Sequence, residues 1–253
     1  MESVLTQSAV KSGRVTLEYL VCDGLSKDRT VDIVQSFGSS AIEVLSEKDR
    51  GMYDALGKGL RRATGDVVAY INAGDYYQKG AFDVVADIFS TTDTQWLTGL
   101  ASGCDERSAV VGVGLPYRYR RRLFDCGYYG AKLPFVQQES TFWRRPLIDL
   151  IDMDKLAGFR YAGDYYLWNR FARAHELRIV EAQLGVFKFH PGQLSEDQGT
   201  YAGEMKSITR RRNIADEIVG FCDHVVWALS PRFKKKMNPT GLYRYDRSTA
   251  TWR

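Results

Sequence analysis

The sequence predicts an α/β fold, a mostly parallel sheet flanked by helices, on three observations. Short apolar runs of strand length (Leu17–Cys22, Ile42–Leu45 and Val67–Ile71) alternate with segments whose apolar residues recur at helical spacing. Two of these runs lead into an acidic residue, Asp23 and Asp75, and an open α/β sheet binds ligands in the crevice at its strand ends. The 253 residues are 44% hydrophobic, which is enough to bury a sizeable core, and the length favours one domain.

Leu17–Cys22 has the apolar and β-branched content of a buried strand. Asp23-Gly-Leu-Ser-Lys-Asp28 supplies turn residues, and Val31, Val34 and Phe37 then recur as on a helix from Thr30. Ile42–Leu45 is the second strand. A helix follows from about Gly51 to Ala63, with Met52, Ala55, Leu56 and Leu60 on one face and Gly65 where a capping glycine belongs. Val67–Ile71 runs into Asn72-Ala-Gly-Asp75, and the next helix turns Phe82, Val85, Ile88 and Phe89 inward. Further on, strands are expected at Trp96–Leu100, Val110–Val113, Phe135–Trp143 and Val180–Phe189. Helices are expected at Pro146–Leu156, Asp164–His175 and Tyr201–Phe221. The stretch Leu115–Leu133, rich in Tyr, Arg and Gly, reads as a long loop, the kind of segment that often contacts ligands, and acceptor contacts are expected there.

Composition narrows the function. The formal charge of +4 is mild, but it is concentrated in Arg118–Arg122, Arg210–Arg212 and Arg232–Lys236, which suit phosphate, anionic lipid or nucleic acid unless they are solvated faces. The four cysteines are widely spaced with no CxxC pair, so neither a disulfide framework nor a zinc knuckle is indicated. Neither a secretory leader nor an apolar run of bilayer length is evident, and a cytoplasmic protein is expected. Ser140 has no spaced His and Asp that would make it a nucleophile, and His175 and His224 carry no assigned role. Asp75, after a turn of small residues, suits a hard cation. Mg²⁺ or Mn²⁺ needs only one or two protein carboxylates when diphosphate oxygens and water complete its shell, although an ordinary Asx turn would look the same.

Taken together, Asp23-Gly-Leu-Ser-Lys-Asp-Arg-Thr30, Glu47–Ala55, Ala63–Asp66 and Ile71–Asp75 resemble, in order, the motifs of family 2 glycosyltransferases of the GT-A fold. Gln138–Arg145 and Ala162–Trp168 resemble the acceptor-side segments of the branch that decorates bacterial surface polysaccharides. Each motif is short; their order and spacing over about residues 2–195 make the resemblance specific. It implies that Asp23 contacts the nucleotide base, that Asp49 helps seat the nucleotide, and that Asp75 bridges a divalent cation, Mg²⁺ or Mn²⁺, to the sugar diphosphate. Asp164 matches the catalytic base, His190 lies in a segment that can close over the diphosphate and reach the metal, and Glu139 is an acceptor-side neighbour.

The chemistry fits those roles. Glycosyl transfer develops negative charge on the leaving diphosphate, which a cation stabilises, while a carboxylate takes the proton of the attacking hydroxyl. Asp164, after Ala162-Gly163 and before aromatics, suits a partly apolar pocket that raises its basicity, or else a helix N-cap.

Two departures stand out. Relatives open with a strand some twenty or more residues before the Asp-Gly loop, whereas Met1–Gln7 resembles the end of the helix after it, so that strand is expected to be absent, with a cost to stability or nucleotide affinity. Gly74 stands where many relatives carry a second acid, which leaves Asp75 alone at the metal. The expected organisation is a single domain, with a nucleotide-sugar half at about 1–100, an acceptor half at about 101–195 and a basic helical extension at about 196–253. The expected activity is metal-dependent, inverting transfer from a nucleotide-diphosphate sugar to a saccharide or lipid-linked acceptor, with possible peripheral membrane contact. The alternatives are a non-catalytic glycan- or partner-binding member of the fold, a nucleic-acid binder without a recognised motif, and a nucleotidyltransferase without its glycine-rich loop.

Overall fold

The computed structural model describes residues 1–253, the side chain of Ser195 apart. Two short helices, α1 (Glu2–Leu5) and α2 (Ser8–Lys11), precede β1 (Tyr19–Asp23), α3 (Thr30–Ser36), β2 (Ile42–Ser46) and α4 (Met52–Arg62). Then come β3 (Val67–Val68), β4 (Tyr76–Tyr77), α5 (Ala81–Thr91), β5 (Trp96–Thr98), β6 (Ala101–Cys104) and β7 (Val110–Gly114). The second half holds α6 (Arg121–Asp125), β8 (Thr141–Arg144), α7 (Met153–Leu156), α8 (Gly163–Ala174), β9 (Arg178–Val180) and β10 (Gly185–Lys188). The chain finishes with α9 (Gln198–Lys206), α10 (Ile214–Ala228), α11 (Pro231–Met237), β11 (Leu242–Tyr243), β12 (Tyr245–Asp246) and β13 (Thr251–Trp252).

The main sheet has the order β11-β9-β5-β8-β3, and a second one has the order β4-β10-β6-β7. Strands β5, β9 and β11 run parallel, while β8 enters antiparallel between β5 and β3. The β1–β2 pair is parallel and separate, with Tyr19 opposite Ile42 and Asp23 opposite Ser46. Among the described residues no strand pairs with the outer edge of β1 or of β3. The starts of these two strands are tied instead by Glu18, whose carboxylate accepts from the Thr64 and Gly65 amides at 2.8 and 3.2 Å. Tyr19, Val67, Ala69 and Ile71 pack on the same apolar cluster as α5, so β1 and β3 present side chains to one shared layer.

Two apolar clusters hold the layers together. The smaller joins α5 to β5 and β9 through Val85, Ile88, Phe89, Leu97 and Val180. The larger centres on Trp96, Trp143, Trp168 and Phe171, with the Trp96 and Trp168 rings 5.9 Å apart and nearly parallel. Aromatic rings bury the most apolar area per residue, which explains why four of them suffice at the junction of β5, β8 and α8.

Several expectations are corrected. Leu115–Leu133 is core, not an exposed binding loop: Leu115, Tyr117, Tyr119, Leu123, Phe124, Tyr128, Tyr129 and Leu133 are all buried, and α6 lies within it. Its aromatics are there to pack. The helix expected at Tyr201–Phe221 is two helices, because the Asn213 side chain accepts from the Asp216 amide and Asp216 returns the bond, a capping box that starts α10 afresh. Val180–Phe189 likewise divides into β9 and β10, and Val67–Ile71 pairs only over Val67–Val68. Ala63, in an extended conformation, caps α4 in place of Gly65.

Parts of the arginine clusters are engaged by buried acids. Arg120 holds Asp223 at 2.7 Å, and Arg122 with Arg210 encloses the buried Asp216. No helix among the described residues is long and apolar enough to cross a membrane.

Candidate functional site

Asp23 ends β1, and its carboxylate accepts from the Ser26 amide at 3.2 Å and the Ser46 hydroxyl at 2.6 Å. Those bonds from Ser26 and Ser46 pull its pKa below the ordinary value, so the group is ionised and shapes its own loop. Beside it, Asp49 accepts from the Gly51 amide at 2.9 Å, and a Cβ added to Gly24 would lie 2.5 Å from the Asp49 carboxylate. Asp23 and Asp49 thus flank one loop at the end of β1.

Asp75 precedes β4, outside that loop. The chain reverses through Asn72-Ala-Gly-Asp, with the Asp75 amide donating to the Asn72 carbonyl and Gly74 at φ 106°, a left-handed backbone that favours glycine. The Asp75 Oδ1 accepts from the Lys188 amide at 2.9 Å, which docks the turn on the end of β10. Burial raises its pKa to about 6, opposed by that bond and by the charge of His190. His190 is exposed, in the turn after β10, with its amide bonded to Gln193 Oε1 at 3.1 Å.

Asp164 lies in the first turn of α8, after the cap residue Ala162, so it is inside the helix and not its N-cap. A negative charge there is favoured by the helix dipole. Its Oδ1 accepts from its neighbour's amide at 2.7 Å, from Tyr201 at 3.1 Å and from Tyr53 at 3.3 Å. Gly163 lets the Tyr53 ring in, since a Cβ there would come within 2.4 Å of it. Burial still dominates and raises the Asp164 pKa to about 6.

Glu139 connects the two carboxylates. It is 2% exposed, in the single 3-10 turn before β8, and its Oε1 has no hydrogen-bond partner. Burial raises its pKa to about 8, with the charges of Asp75 and Asp164 adding to the effect. At neutral pH Glu139 is therefore a neutral acid, within electrostatic range of Asp75 and of Asp164. The neighbouring Gln138 bridges the end of the third strand, accepting from the Asn72 side chain at 3.0 Å and donating to the Tyr70 carbonyl.

Glu139 lies within charge range of both Asp75 and Asp164, His190 lies within charge range of Asp75, and Asp23 and Asp49 flank a separate loop. The sequence pointed to no role for Tyr53, Tyr201 or Gln138. Tyr53 and Gln138 stand inside motifs quoted for the resemblance, whereas Tyr201 belongs to α9 and carries no local signal. Among the described residues no group of three or more His, Cys, Asp or Glu could hold a metal unaided. Asp75, with one oxygen bonded and His190 nearby, fits the one or two protein ligands that a cation bound to diphosphate needs.

Comparison with known structures places the fold in the GT-A class. The chain is similar to S. aureus TarS 1–349 in complex with UDP-GlcNAc, with TM-score 0.53, 14% identity, and 93% of this chain covering 64% of that one. The same protein without a named ligand gives TM-score 0.56 at 13% identity, covering 93% of this chain and 77% of that one. GalNAc-T7 with UDP, GalNAc and Mn²⁺ gives TM-score 0.52 at 13% identity over 75% of this chain and 40% of that one. No curated protein sequence gives a match. Residues 1–125, which carry Asp23, Asp49 and Asp75, match the family described as "Glycosyl transferase family 2".

Proposed function

We propose that this chain transfers a sugar from a nucleotide-diphosphate sugar to a saccharide or lipid-linked saccharide acceptor, with inversion and without a covalent enzyme intermediate. The observation that carries the reading is Asp164, a half-buried carboxylate held by two phenols and raised to about 6, whose charge reaches Glu139 as that of Asp75 does. A base with that pKa is ionised at neutral pH and still basic enough to take the acceptor's proton. Asp23 and Asp49 would receive the nucleotide, and Glu139, as a neutral acid, would donate a hydrogen bond on the acceptor side. Asp75, with His190, would hold Mg²⁺ or Mn²⁺, whose chemistry is to stabilise charge on the departing diphosphate. The UDP-GlcNAc complex of TarS and the UDP and Mn²⁺ of GalNAc-T7 support this choice of donor and metal class.

The donor half would span about 1–100, the acceptor half about 101–195 and the basic extension about 196–253, within one domain. We assign the activity to bacterial cell-surface polysaccharide synthesis, in the cytoplasm or at the inner membrane face. The alternative is a non-catalytic glycan- or partner-binding member of the fold that has lost nucleotide binding, favoured by the unpaired edge of β1, the strand that ends in Asp23. Incubation with UDP- and GDP-sugars separates them. Hydrolysis that requires Mn²⁺ or Mg²⁺, stops with EDTA and disappears in Asp75→Ala supports the transferase. Neither hydrolysis nor a thermal shift with any of these donors would leave the binding protein.

A further inference from the structure

Helices α10 and α11 carry an outward apolar face that packing does not use. On α10 the inner side is Asp216, Gly220 and Asp223, all buried. The outer side is Ile214, Ile218, Phe221, Val225 and Leu229, between 39% and 81% exposed, and Phe233 and Met237 of α11 continue it. On α10 the spacing of three or four residues makes one stripe, and α11 begins afresh after the extended Leu229. A shallow groove of about 610 Å³, lined by Arg212, Ile214, Ile218, Phe221 and Cys222, opens on the same face.

The charges around the stripe are one-sided. Between Arg210 and Met237 the chain has seven Lys and Arg against three Asp and Glu. All three acids are already engaged, Asp216 by Arg122 and Arg210, Glu217 by Lys132 and Asp223 by Arg120. Lys234 and Lys235 turn to the body, toward the Leu115 carbonyl and Glu181. Arg232 and Lys236 are left exposed beside Phe233 and Met237, and Arg211 stands exposed before α10.

We propose that the outer face of α10 and α11 docks on an anionic lipid bilayer. Apolar residues rimmed by unneutralised basic ones are what an interfacial helix presents to acyl chains and anionic headgroups. The 15 residues of α10 extend about 22 Å, suited to lying in the interface plane. A second copy is a poorer occupant, because antiparallel pairing of two α10 helices would set Arg211 of one against Arg232 and Lys236 of the other. The proposal deepens the membrane-side placement given above and rests on it, but vesicle binding without any donor sugar tests it apart from catalysis.

The test is co-sedimentation of the full chain with phosphatidylcholine vesicles, with and without about one third phosphatidylglycerol. Binding is expected to the mixed vesicles, and to fall with added salt. Arg232→Ala and Lys236→Ala should each weaken it about fivefold, and Ile218→Ser with Phe221→Ser at least about tenfold. An environment-sensitive dye on the exposed Cys222 should shift to the blue with anionic vesicles, a readout that needs no core substitution. Three results overturn the proposal: no sedimentation, equal binding to phosphatidylcholine alone, or a concentration-dependent dimer that the Ile218 and Phe221 changes abolish.

Discussion

Tyr201 and Asp164, 37 residues apart in sequence, meet through a 3.1 Å hydrogen bond from the phenol to the carboxylate. The bond links α9 to the first turn of α8 and favours the ionised form of Asp164 against the burial that disfavours it. Tyr201→Phe removes that donor without removing the ring, so the Asp164 pKa should rise from about 6. The acidic limb of kcat/KM should move up by as much as about one pH unit. Activity at pH 6 should then drop several-fold while activity at pH 8 is kept. An unmoved limb would mean that Tyr201 only packs.

Asp164→Asn separates catalysis from folding. Removing a general base costs about 10²–10⁴ in rate, and kcat with a saturating acceptor should fall by that order. Stability should move the other way. The folded pKa of Asp164 is raised to about 6 from 3.8, so folding prefers the protonated form, and stability is lost as pH rises through that window. The neutral amide escapes the loss. The variant should be at least as stable as the parent at pH 7.5 by urea titration, so a large loss of stability there would contradict the burial argument.

Glu139 supplies a sharper case. Its folded pKa of about 8 exceeds the ordinary 4.5, so the native state keeps a proton that the unfolded chain releases, and stability declines as pH rises between those values. The slope is at most about 1.4 kcal/mol per pH unit for one proton. Glu139→Gln, which stays neutral, should show a correspondingly flatter dependence between pH 5 and 8. Urea midpoints at three pH values measure it, and parallel curves for parent and variant would show that Glu139 is ionised after all.

The local pattern of the first hundred residues was legible because strand runs, turn residues and helical spacing there each report a local preference. Asp23 and Asp75 could be singled out for the same reason, as each sits at a strand end or in a short turn, whereas Asp49 came from the resemblance alone. What failed was anything decided by packing at a distance. Leu115–Leu133 has the Gly and Tyr content of a loop, yet its rings fill the space between α6, α8 and α10, and no local rule announces that. Tyr201 reaches Asp164 only after α9 has folded back over α8. Glu139 was placed on the acceptor side by resemblance, but its buried, partnerless oxygen and its role between Asp75 and Asp164 depend on three segments far apart in sequence. The Arg210–Arg212 and Arg118–Arg122 clusters looked like ligand surfaces because sequence does not reveal that Asp216 and Asp223 of α10 hold Arg210, Arg122 and Arg120.

Asp216 is the point on which α10 depends. Its side chain is fully buried, Arg210 and Arg122 both hold it, and it completes the capping box with Asn213. Those bonds, Arg210 first, hold its carboxyl far below the usual range, so its contribution is present above the ordinary carboxylate pKa and is lost as pH falls toward the folded value. Asp216→Ala leaves two guanidinium groups facing an empty site and removes one of the two bonds of the capping box. Losing charged hydrogen bonds to a buried carboxylate costs about 1.5–3 kcal/mol, and the guanidinium groups left behind, 42–43% exposed, are open to water. The variant should therefore unfold at markedly lower urea, with the difference from the parent shrinking at acid pH. Asp216→Asn keeps the cap and should lose less. If Asp216→Ala cost under about 1 kcal/mol, as a surface pair would, α10 would be held by its apolar inner contacts and not by this cluster.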